Sequence, residues 1–259
     1  MSQNLSLENT VVSVELLLSP PSVRDGFSKE LEYELRIVGC ELIQSMGILL
    51  KLPQVAMATA QVLLQRFYYC ASFKQFKDIA LGAIFLASKL EECPARIRDI
   101  IHTCHYLETA FRGQEHQPID PSSTEIPELN DALINAESQI LVKLGFNVHV
   151  QHPHGFMINY LRSLGMADNR EMAQQAWNYV NDRTNCCVCY QPSTIACAAI
   201  YLAARVLQIK LPTSPPWWEV FEASDEDILF ISTFFALVAI SGCILKLYRT
   251  KVEKSMAFA

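Results

Sequence analysis

Two stretches of the chain, AIFLASKL at residues 83–90 and AIYLAARV at residues 199–206, match each other at an offset of 116 residues. A second pair, QRFYY at residues 65–69 and AWNYV at residues 176–180, precedes the first pair in each copy, at an offset of 111 residues. Internal similarity of this kind is typical of a duplicated structural unit. The sequence therefore predicts two copies of one helical domain. Their boundary is the linker HVQHPH at residues 149–154, where Pro153 ends one helix and permits the next.

The first copy has the spacing of consecutive α-helices. From Ser28 onward apolar residues recur every three or four positions, which predicts a helix with one apolar face formed by Leu31, Leu35, Val38, Leu42 and Met46. A second helix is predicted to begin at Pro53 and run to about residue 69, with Val55, Ala58, Val62, Gln65 and Phe67 on its buried side. Further helices are predicted at about 76–91, from Pro94 to about 108, and at about 128–144, with Gly145 as a C-cap.

The third of these helices is apolar nearly all round, which is typical of a helix at the centre of a bundle. No alternating strand pattern competes with the helical one. We therefore expect an all-α fold of two tandem five-helix domains. The expected limits are a loosely ordered lead-in at 1–27, a first domain at 28–150, a second domain at 151–251 and a tail at 252–259.

Charge and cysteine content exclude several functions. The chain has 21 Lys plus Arg against 27 Asp plus Glu, a net charge of −6, and no basic stripe, so direct nucleic-acid binding is not expected. The nine cysteines, an odd number mostly in apolar stretches, indicate reduced thiols in an intracellular protein. A zinc site is suggested by Cys186, Cys187 and Cys189, but no second pair of ligands completes it. The linker histidines His149, His152 and His154 could also suggest a metal, but a proline interrupts their spacing, which favours a structural role. We expect neither a metal nor a cofactor.

The segment LASKLEECPARIRD, residues 86–99, ends the central helix with charged groups. Glu91 and Glu92 lie where the helix dipole disfavours negative charge, and just before the N-terminus of the next helix. Arg96 and Arg98 are close enough in sequence to neutralise them, which predicts a charged corner between two helices.

Lys89 interrupts the apolar run one turn before the helix ends. It could reach water and favour the helix dipole. A catalytic lysine would need a convergent nucleophile or acid, and the segment offers no Ser-His or Cys-His arrangement. We therefore do not expect an enzyme.

These residues resemble the cyclin family. LASKLEECPARIRDII at 86–101, with RFYY at 66–69 and AESQILVKLGFNVHV at 136–150, is similar to the cyclin box, and the two-copy layout agrees. More narrowly, the blocks at 35–67 and 191–212 and the linker HPH resemble cyclin L, a branch associated with transcription and splicing. The similarity spans about residues 21–231 and resumes at 244–248.

The resemblance implies a regulatory subunit that binds and activates a cyclin-dependent kinase in RNA polymerase II transcription and pre-mRNA splicing. In cyclins a lysine and a glutamate at the positions of Lys89 and Glu137 bind the kinase and help to hold its mobile helix. Leu90, Leu141 and Phe146 take the places of neighbouring apolar contacts. The resemblance favours a kinase of the PITSLRE type as the partner, and the nucleus as the compartment.

The chain departs from cell-cycle cyclins where those recruit substrates. Their Met-Arg-Ala-Ile-Leu motif is replaced by LRIVG at 35–39, Leu42 stands for their tryptophan, and Gln65 stands for the aspartate that pairs with the arginine, here Arg36. Substrate docking of that kind is therefore not expected. Cyclin L also typically continues into a long arginine/serine-rich tail, and the residues up to Ala259 contain none, so they give no support for speckle targeting.

An uncharged run, ILFISTFFALVAISGCIL at residues 228–245, reaches the minimal length of a membrane span. Relative to the family about nine extra residues lie between Ser232 and Ile244, at about 233–243. Three explanations are open: a membrane anchor, a lengthened or looped final helix packed in the second domain, and a read-through gene segment. Acidic residues before the run and basic residues after it disfavour the anchor, because the positive-inside rule would then require the helical domains to cross.

Two rival functions belong to other classes. A general transcription factor of the IIB kind shares a double helical repeat, but would need a basic surface and a zinc ribbon. A membrane-anchored helical protein rests on residues 228–245 alone.

Overall fold

The computed structural model describes residues 9, 11–74, 78–114, 125–166, 168–181, 186–214, 216–233 and 235–236. Within these ranges the regular structure is helical, and β pairing is limited to one isolated bridge between Thr213 and Pro216. The predicted all-α class is therefore confirmed. By its internal contacts the chain divides into residues 1–150 and 151–259.

Seven helices follow one another in the described part of the first unit. They are α1 Val14–Leu18, α2 Pro21–Arg24, α3 Lys29–Leu49, α4 Gln54–Cys70, α5 Ile79–Leu90, α6 Ile97–Phe111 and α7 Glu125–Lys143. The five long helices α3 to α7 form the bundle. Helix α5 lies at its centre and packs against α3, α4, α6 and α7, which is why nine of its residues, Ile79–Ala80 and Gly82–Ser88, are buried.

The buried face of α3 differs from the predicted one. Leu31 and Val38 are exposed, whereas Glu32 and Arg36 are buried, followed on the same face by Cys40, Ile43, Met46 and Gly47. The spacing rule fails in the first turns because two opposite charges pair with each other there, and so enter the interior together. On α4 the predicted face is right except for Val55, which is exposed.

The lead-in is more structured than expected. Residues of α1 and α2 are helical, and α2 packs against α3 and α4. Ser22 is fully buried, and its hydroxyl accepts a hydrogen bond from the backbone N–H of Phe73 at 3.1 Å. Because a buried hydroxyl must find a partner, this contact fixes the lead-in on the end of the bundle.

The second unit repeats the central feature of the first. Its described helices are α8 Pro153–Ser163, α9 Arg170–Asn181, α10 Cys186–Cys189, α11 Pro192–Val206, a 3₁₀ helix at Trp217–Phe221 and a helical segment at 225–233. Helix α11 packs against α8 and α9, as α5 does against α3 and α4. It can do so closely because five alanines, Ala196, Ala198, Ala199, Ala203 and Ala204, line its buried side.

The two central helices also end alike. Glu92 after α5 and Gln208 after α11 both have positive φ, 54° and 57°. The N–H of the following residue then donates to the carbonyl five positions earlier, Cys93 to Ser88 and Ile209 to Ala204, both at 2.9 Å. The repeat seen in the sequence is therefore also a repeat of backbone geometry.

The start of the uncharged run at 228–245 belongs to the core of the second unit. Ile228, Ile231 and Phe235 are at most 2% exposed, and the Ser232 hydroxyl donates to the carbonyl of Ala198 on α11 at 3.3 Å. This placement agrees with a packed final helix over 228–235. The remaining residues of the run, and most of the insertion at 233–243, lie outside the described residues. Among the described helices none has the length and hydrophobicity that crossing a membrane requires.

Candidate functional site

The side chains of Lys89 and Glu137 meet on the surface of the first unit. Lys89 Nζ donates to both carboxylate oxygens of Glu137, at 2.8 and 2.9 Å, and lies 3.7 Å from the ring centroid of Phe85. Lys89 belongs to the last turn of α5 and Glu137 to the middle of α7. The lysine side chain is 45% exposed and the glutamate side chain 13%. The carboxylate is thus largely desolvated, while its cationic partner faces the solvent.

A glycine brings the two helices this close. A Cβ atom added at Gly82 on α5 would lie 2.8 Å from Ala136 Cβ, and 2.9 Å from both Ala136 C and Glu137 N. Two of these three atoms are backbone, which a rotamer change cannot move. Gly82 therefore sets the position of the peptide that carries Glu137. Sequence reasoning missed this residue, although a glycine inside a buried apolar helix is a signal of close approach.

The three predicted apolar residues lie near the ion pair in sequence, one in α5, one in α7 and one just after α7. Leu90, next to Lys89, is 40% exposed, and Leu141, one turn after Glu137, is half-buried against the core. Phe146 is 69% exposed and has a φ of 62°. Its backbone N–H donates to the carbonyl of Leu141 at 2.8 Å, which ties the residue to the end of α7. Gly145, also at positive φ, makes the turn before it, as predicted.

One further apolar residue belongs to this face of α7. Ile134 precedes Glu137 by three positions and Leu141 by seven, so the three side chains share one stripe of the helix. Ile134 is 45% exposed. The helical spacing in the sequence already places Ile134 on this stripe, but the resemblance to cyclins did not identify it as a site residue.

The corner after α5 is built differently from the prediction. Glu91 accepts a hydrogen bond from the buried Thr59 hydroxyl of α4 at 2.6 Å. Over the described ranges the ion pairs are Glu32–Arg36 and Lys89–Glu137, so Arg96 and Arg98 do not pair with the two glutamates, and that expectation was wrong. A hydroxyl from a neighbouring helix stabilises the carboxylate because α4 passes closer to it than the arginine side chains do.

Arg36 is buried rather than presented to a ligand. It is 1% exposed, and its Nη1 donates to Gln65 Oε1 at 2.9 Å and to the Gln65 carbonyl at 3.1 Å. Its Nε donates to Glu32, and its guanidinium lies 3.8 Å from the ring centroid of Tyr69. Gln65 thus contacts the arginine without neutralising it, and Glu32 supplies the negative charge. These contacts give the residue a structural role in joining α3 to α4.

The structure offers no support for metal chemistry in the part that it describes. There, no three His, Cys, Asp or Glu side chains come together as ligands. The side chains of Cys186 and Cys187 lie outside that part. Burial raises the pKa of the Cys104 and Cys197 thiols to about 12, which keeps them protonated at neutral pH. His154 Nε2 makes a 2.9 Å hydrogen bond with Asn181 Oδ1, a structural role for that linker histidine.

The chain resembles known proteins over most of its length. Residues 11–149 match the family described as "Cyclin, N-terminal domain". Cyclin-L1 of Danio rerio is 48% identical over 86% of this chain and 45% of its own length. Cyclin-L1 of Homo sapiens is 48% identical over 87% of this chain and 43% of its own length, and Cyclin-L2 of Mus musculus 46% identical over 86% and 44%. The chain thus spans less than half the length of these relatives.

Two solved structures share the fold at low identity. A chain of the yeast RNA Pol II CTD kinase CTDK-1 complex has a TM-score of 0.70 and 18% identity, over 91% of this chain and 74% of that one. A chain of the Chaetomium thermophilum CAK complex bound to ATP-gamma-S has a TM-score of 0.56 and 17% identity, over 79% and 62%. Cyclins are regulatory subunits of kinases and are not enzymes themselves. With the matched domain covering more than half of its residues, this chain belongs to the cyclin family.

Proposed function

We propose that this cyclin binds and activates a cyclin-dependent kinase through one surface of its first unit. The docking surface consists of Lys89, Leu90, Glu137, Leu141 and Phe146. The observation that carries the proposal is the Lys89–Glu137 ion pair, which is exposed on the lysine side and lies close in sequence to the exposed apolar side chains of Leu90 and Phe146. Family membership supports the class of partner.

The energetics of the ion pair favour a role in binding over a role in folding. An ion pair in contact with solvent contributes about 0–1 kcal/mol to stability, and Lys89 is in contact with solvent. In the free chain the pair therefore mainly offsets the desolvation of the Glu137 carboxylate. When a partner covers such a pair, truncating one member costs about 2–5 kcal/mol of affinity, because the remaining charge is left buried and unpaired. The neighbouring apolar side chains would supply the buried area around it.

Activation would follow from the rigidity of this surface. Helices α5 and α7 are held together at the Gly82–Ala136 contact, so the ion pair and the apolar residues form a preorganised platform. A platform of this kind can select one position of the mobile helix in a kinase, in which the active-site lysine and glutamate pair. The cyclin would then act by raising the population of the active kinase conformation, without taking part in phosphoryl transfer.

The resemblance of the sequence to cyclin L supports the proposed process, partner and compartment. These are RNA polymerase II transcription and pre-mRNA splicing, a PITSLRE-type kinase, and the nucleus. The matches to Cyclin-L1 and Cyclin-L2 agree with that branch of the family. The fold of a chain from a complex named an RNA Pol II CTD kinase agrees with the transcriptional part.

A charge-swap experiment tests the docking surface. The full chain is purified with candidate kinases, and kinase activity is assayed on histone and on the polymerase carboxy-terminal domain. Lys89→Glu places a second carboxylate against Glu137, whereas Lys89→Glu with Glu137→Lys restores an ion pair inside the chain with reversed polarity. We expect the double variant to melt like wild type and to bind kinase at least about 30-fold more weakly, the equivalent of about 2 kcal/mol.

A second comparison tests the apolar part with matched side chains. Phe146 and Phe111 are both 69% exposed, but Phe111 ends α6 and is not part of the docking surface. Phe146→Ala should weaken kinase binding, while Phe111→Ala should leave it unchanged. Kinase binding by the double charge-swap variant at the wild-type level, or equal losses from the two phenylalanine variants, would show that the docking surface is wrongly assigned. Failure to recover any kinase with the wild-type chain would refute the proposed function itself.

A further inference from the structure

The ammonium group of Lys89 contacts an aromatic ring as well as Glu137. Its Nζ lies over the ring of Phe85, 3.7 Å from the centroid, and the two residues are one turn apart on α5. Residues four positions apart lie on one face of a helix, and a cation within about 6 Å of an aromatic centroid is attracted by the electron-rich face. The resemblance to cyclins did not identify Phe85 as a site residue. The ammonium thus contacts a carboxylate and a ring at the same time.

The core of the first unit fixes this ring. Phe85 is 8% exposed and belongs to the cluster of buried side chains at the centre of the bundle. A side chain in a close-packed core keeps one rotamer, because its neighbours leave no room for another. The side chain of Lys89, by contrast, is 45% exposed, and a lysine in water has many rotamers. The contact therefore joins a rigid group to a flexible one, and the flexible one carries the positive charge of the docking surface.

Shielding of the ring from water by the lysine stem is the competing explanation for this contact. A stem that covers apolar surface keeps its charged head in water, whatever the electron density of the ring. Here the nitrogen itself lies over the ring, and the same nitrogen donates to both carboxylate oxygens of Glu137. This placement favours attraction between the charge and the ring.

The internal repeat provides a comparison within the chain. At the offset of 116 residues, Tyr201 and Arg205 on α11 take the places of Phe85 and Lys89. The guanidinium carbon of Arg205 lies 5.6 Å from the ring centroid of Tyr201. In the part of the chain that the structure describes, no carboxylate forms an ion pair with Arg205. A ring followed by a cation thus occurs in both units, and the cation lies closer to the ring in the unit where a carboxylate also binds it.

We propose that Phe85 is a positioning residue for the docking surface. The electron-rich face of its ring holds the Lys89 ammonium against Glu137, so the ion pair is already ordered in the free chain. A partner then meets a charge in a fixed place, and less side-chain freedom is lost on binding. The effect on binding rests on the proposed function above, because it requires a kinase that docks on this surface.

Nuclear magnetic resonance tests the ring contact in the full chain without any kinase. Lysines are labelled with carbon-13 at Cε, and Lys89→Arg assigns the signal of Lys89. Because an aromatic ring shifts nuclei above its face upfield, we expect the Hε protons of Lys89 upfield of those of the other lysines. Phe85→Leu, which keeps an apolar side chain without a ring, should abolish this shift. An unshifted Lys89 signal in the wild-type chain would overturn the proposal.

Two unnatural side chains at position 85 separate attraction from shielding. Incorporated 3,4,5-trifluorophenylalanine keeps the ring but withdraws electron density from its face, so the Lys89 signal should move towards those of the other lysines. The control, 4-methylphenylalanine, also adds bulk but stays electron-rich, and should leave the signal upfield. Equal Lys89 shifts in these two variants would show that the contact is plain packing, and would overturn the proposal.

The same two variants test the effect on docking with the co-purified kinase. We expect the trifluoro variant to bind kinase about three- to ten-fold more weakly than wild type, and the methyl variant to bind like wild type. Wild-type affinity in both variants would refute the role in docking and leave the ring contact in the free chain intact. If the wild-type chain binds no kinase, the proposed function fails and the role in docking fails with it, whereas the resonance shifts still decide the ring contact.

Discussion

Replacing Gly82 by alanine tests the packing of α5 against α7. The tertiary structure decides whether this change raises or lowers the stability of the chain. Alanine is the better helix former, and in an open helix position the change stabilises by about 0.5–1 kcal/mol. At Gly82 the added carbon would lie 2.9 Å from two backbone atoms of α7, so the helices must separate by about 0.5 Å to reach ordinary contact. Overpacking of this kind costs about 1–3 kcal/mol.

None of the three atoms under 3.0 Å can move by a rotamer change, so the packing cost lies in the upper half of its range, at about 2–3 kcal/mol. The balance is a net loss of about 1–2.5 kcal/mol. For a domain of this size the corresponding fall in melting temperature is about 2–10 °C. Kinase binding should fall as well, since one of the two backbone atoms is Glu137 N, and moving it displaces the carboxylate from Lys89. Differential scanning calorimetry measures the first effect, and co-purification with the kinase measures the second.

Gly155 is the matched control. It lies in α8, and an added Cβ there would meet nothing within 4 Å, so Gly155→Ala should leave the melting temperature unchanged or raise it. The double variant Gly82→Ala with Ala136→Gly removes one of the three close contacts and should recover only part of the loss. If Gly82→Ala raises the melting temperature as Gly155→Ala does, the close approach of α5 and α7 is wrong.

Three further outcomes follow from the described contacts. Glu32→Ala should lower the free energy of unfolding by about 3–5 kcal/mol in urea denaturation, because it leaves the buried Arg36 without its carboxylate, and Glu32→Gln should cost less. Ile231→Asp should destabilise the second unit by about 3–5 kcal/mol, because it buries an unpaired charge at a fully buried position. Phe230→Asp, at a side chain that is 63% exposed, should be nearly neutral. Equal effects of the two variants would contradict the packing of the run at 228–235. Cys197 is fully buried, and burial also raises the pKa of its thiol from 9.0 to about 12. Its alkylation by iodoacetamide at pH 8 should therefore be at least about 1,000-fold slower in the folded chain than in urea, as mass spectrometry would show. The same raised pKa implies a stabilisation that is complete below pH 9 and is lost as the pH rises towards 12.

The sequence was a reliable guide wherever one short pattern decided the outcome. The apolar run at 79–87 predicted the central helix, because a segment without a polar face can only be buried on all sides. The copy at 199–206 predicted a second centre, and both helices end at corresponding positions. Pro53 and Gly145 marked helix ends correctly, since their backbone preferences act locally.

It was a poor guide where a residue's environment depends on a partner far along the chain. On α3 the spacing failed in the first half of the helix, at Leu31 and Val38, although it placed Met46 correctly. The reason is that the pairing of Glu32 with Arg36 lets two charges enter the core there. At the corner after α5 the nearest arginines in sequence were not the partners of Glu91, because Thr59 on another helix is closer in space.

The sequence by itself determined the helical class and the internal repeat, and its resemblance to cyclins supplied the five residues of the proposed docking surface, since periodicity and resemblance are properties of the chain alone. Only the tertiary structure decided that Lys89 and Glu137 contact each other, and that Gly82 permits this contact. The physical reason is that contact and burial depend on the packing of helices that lie far apart in sequence. No local pattern records which side chains that packing will leave in solvent.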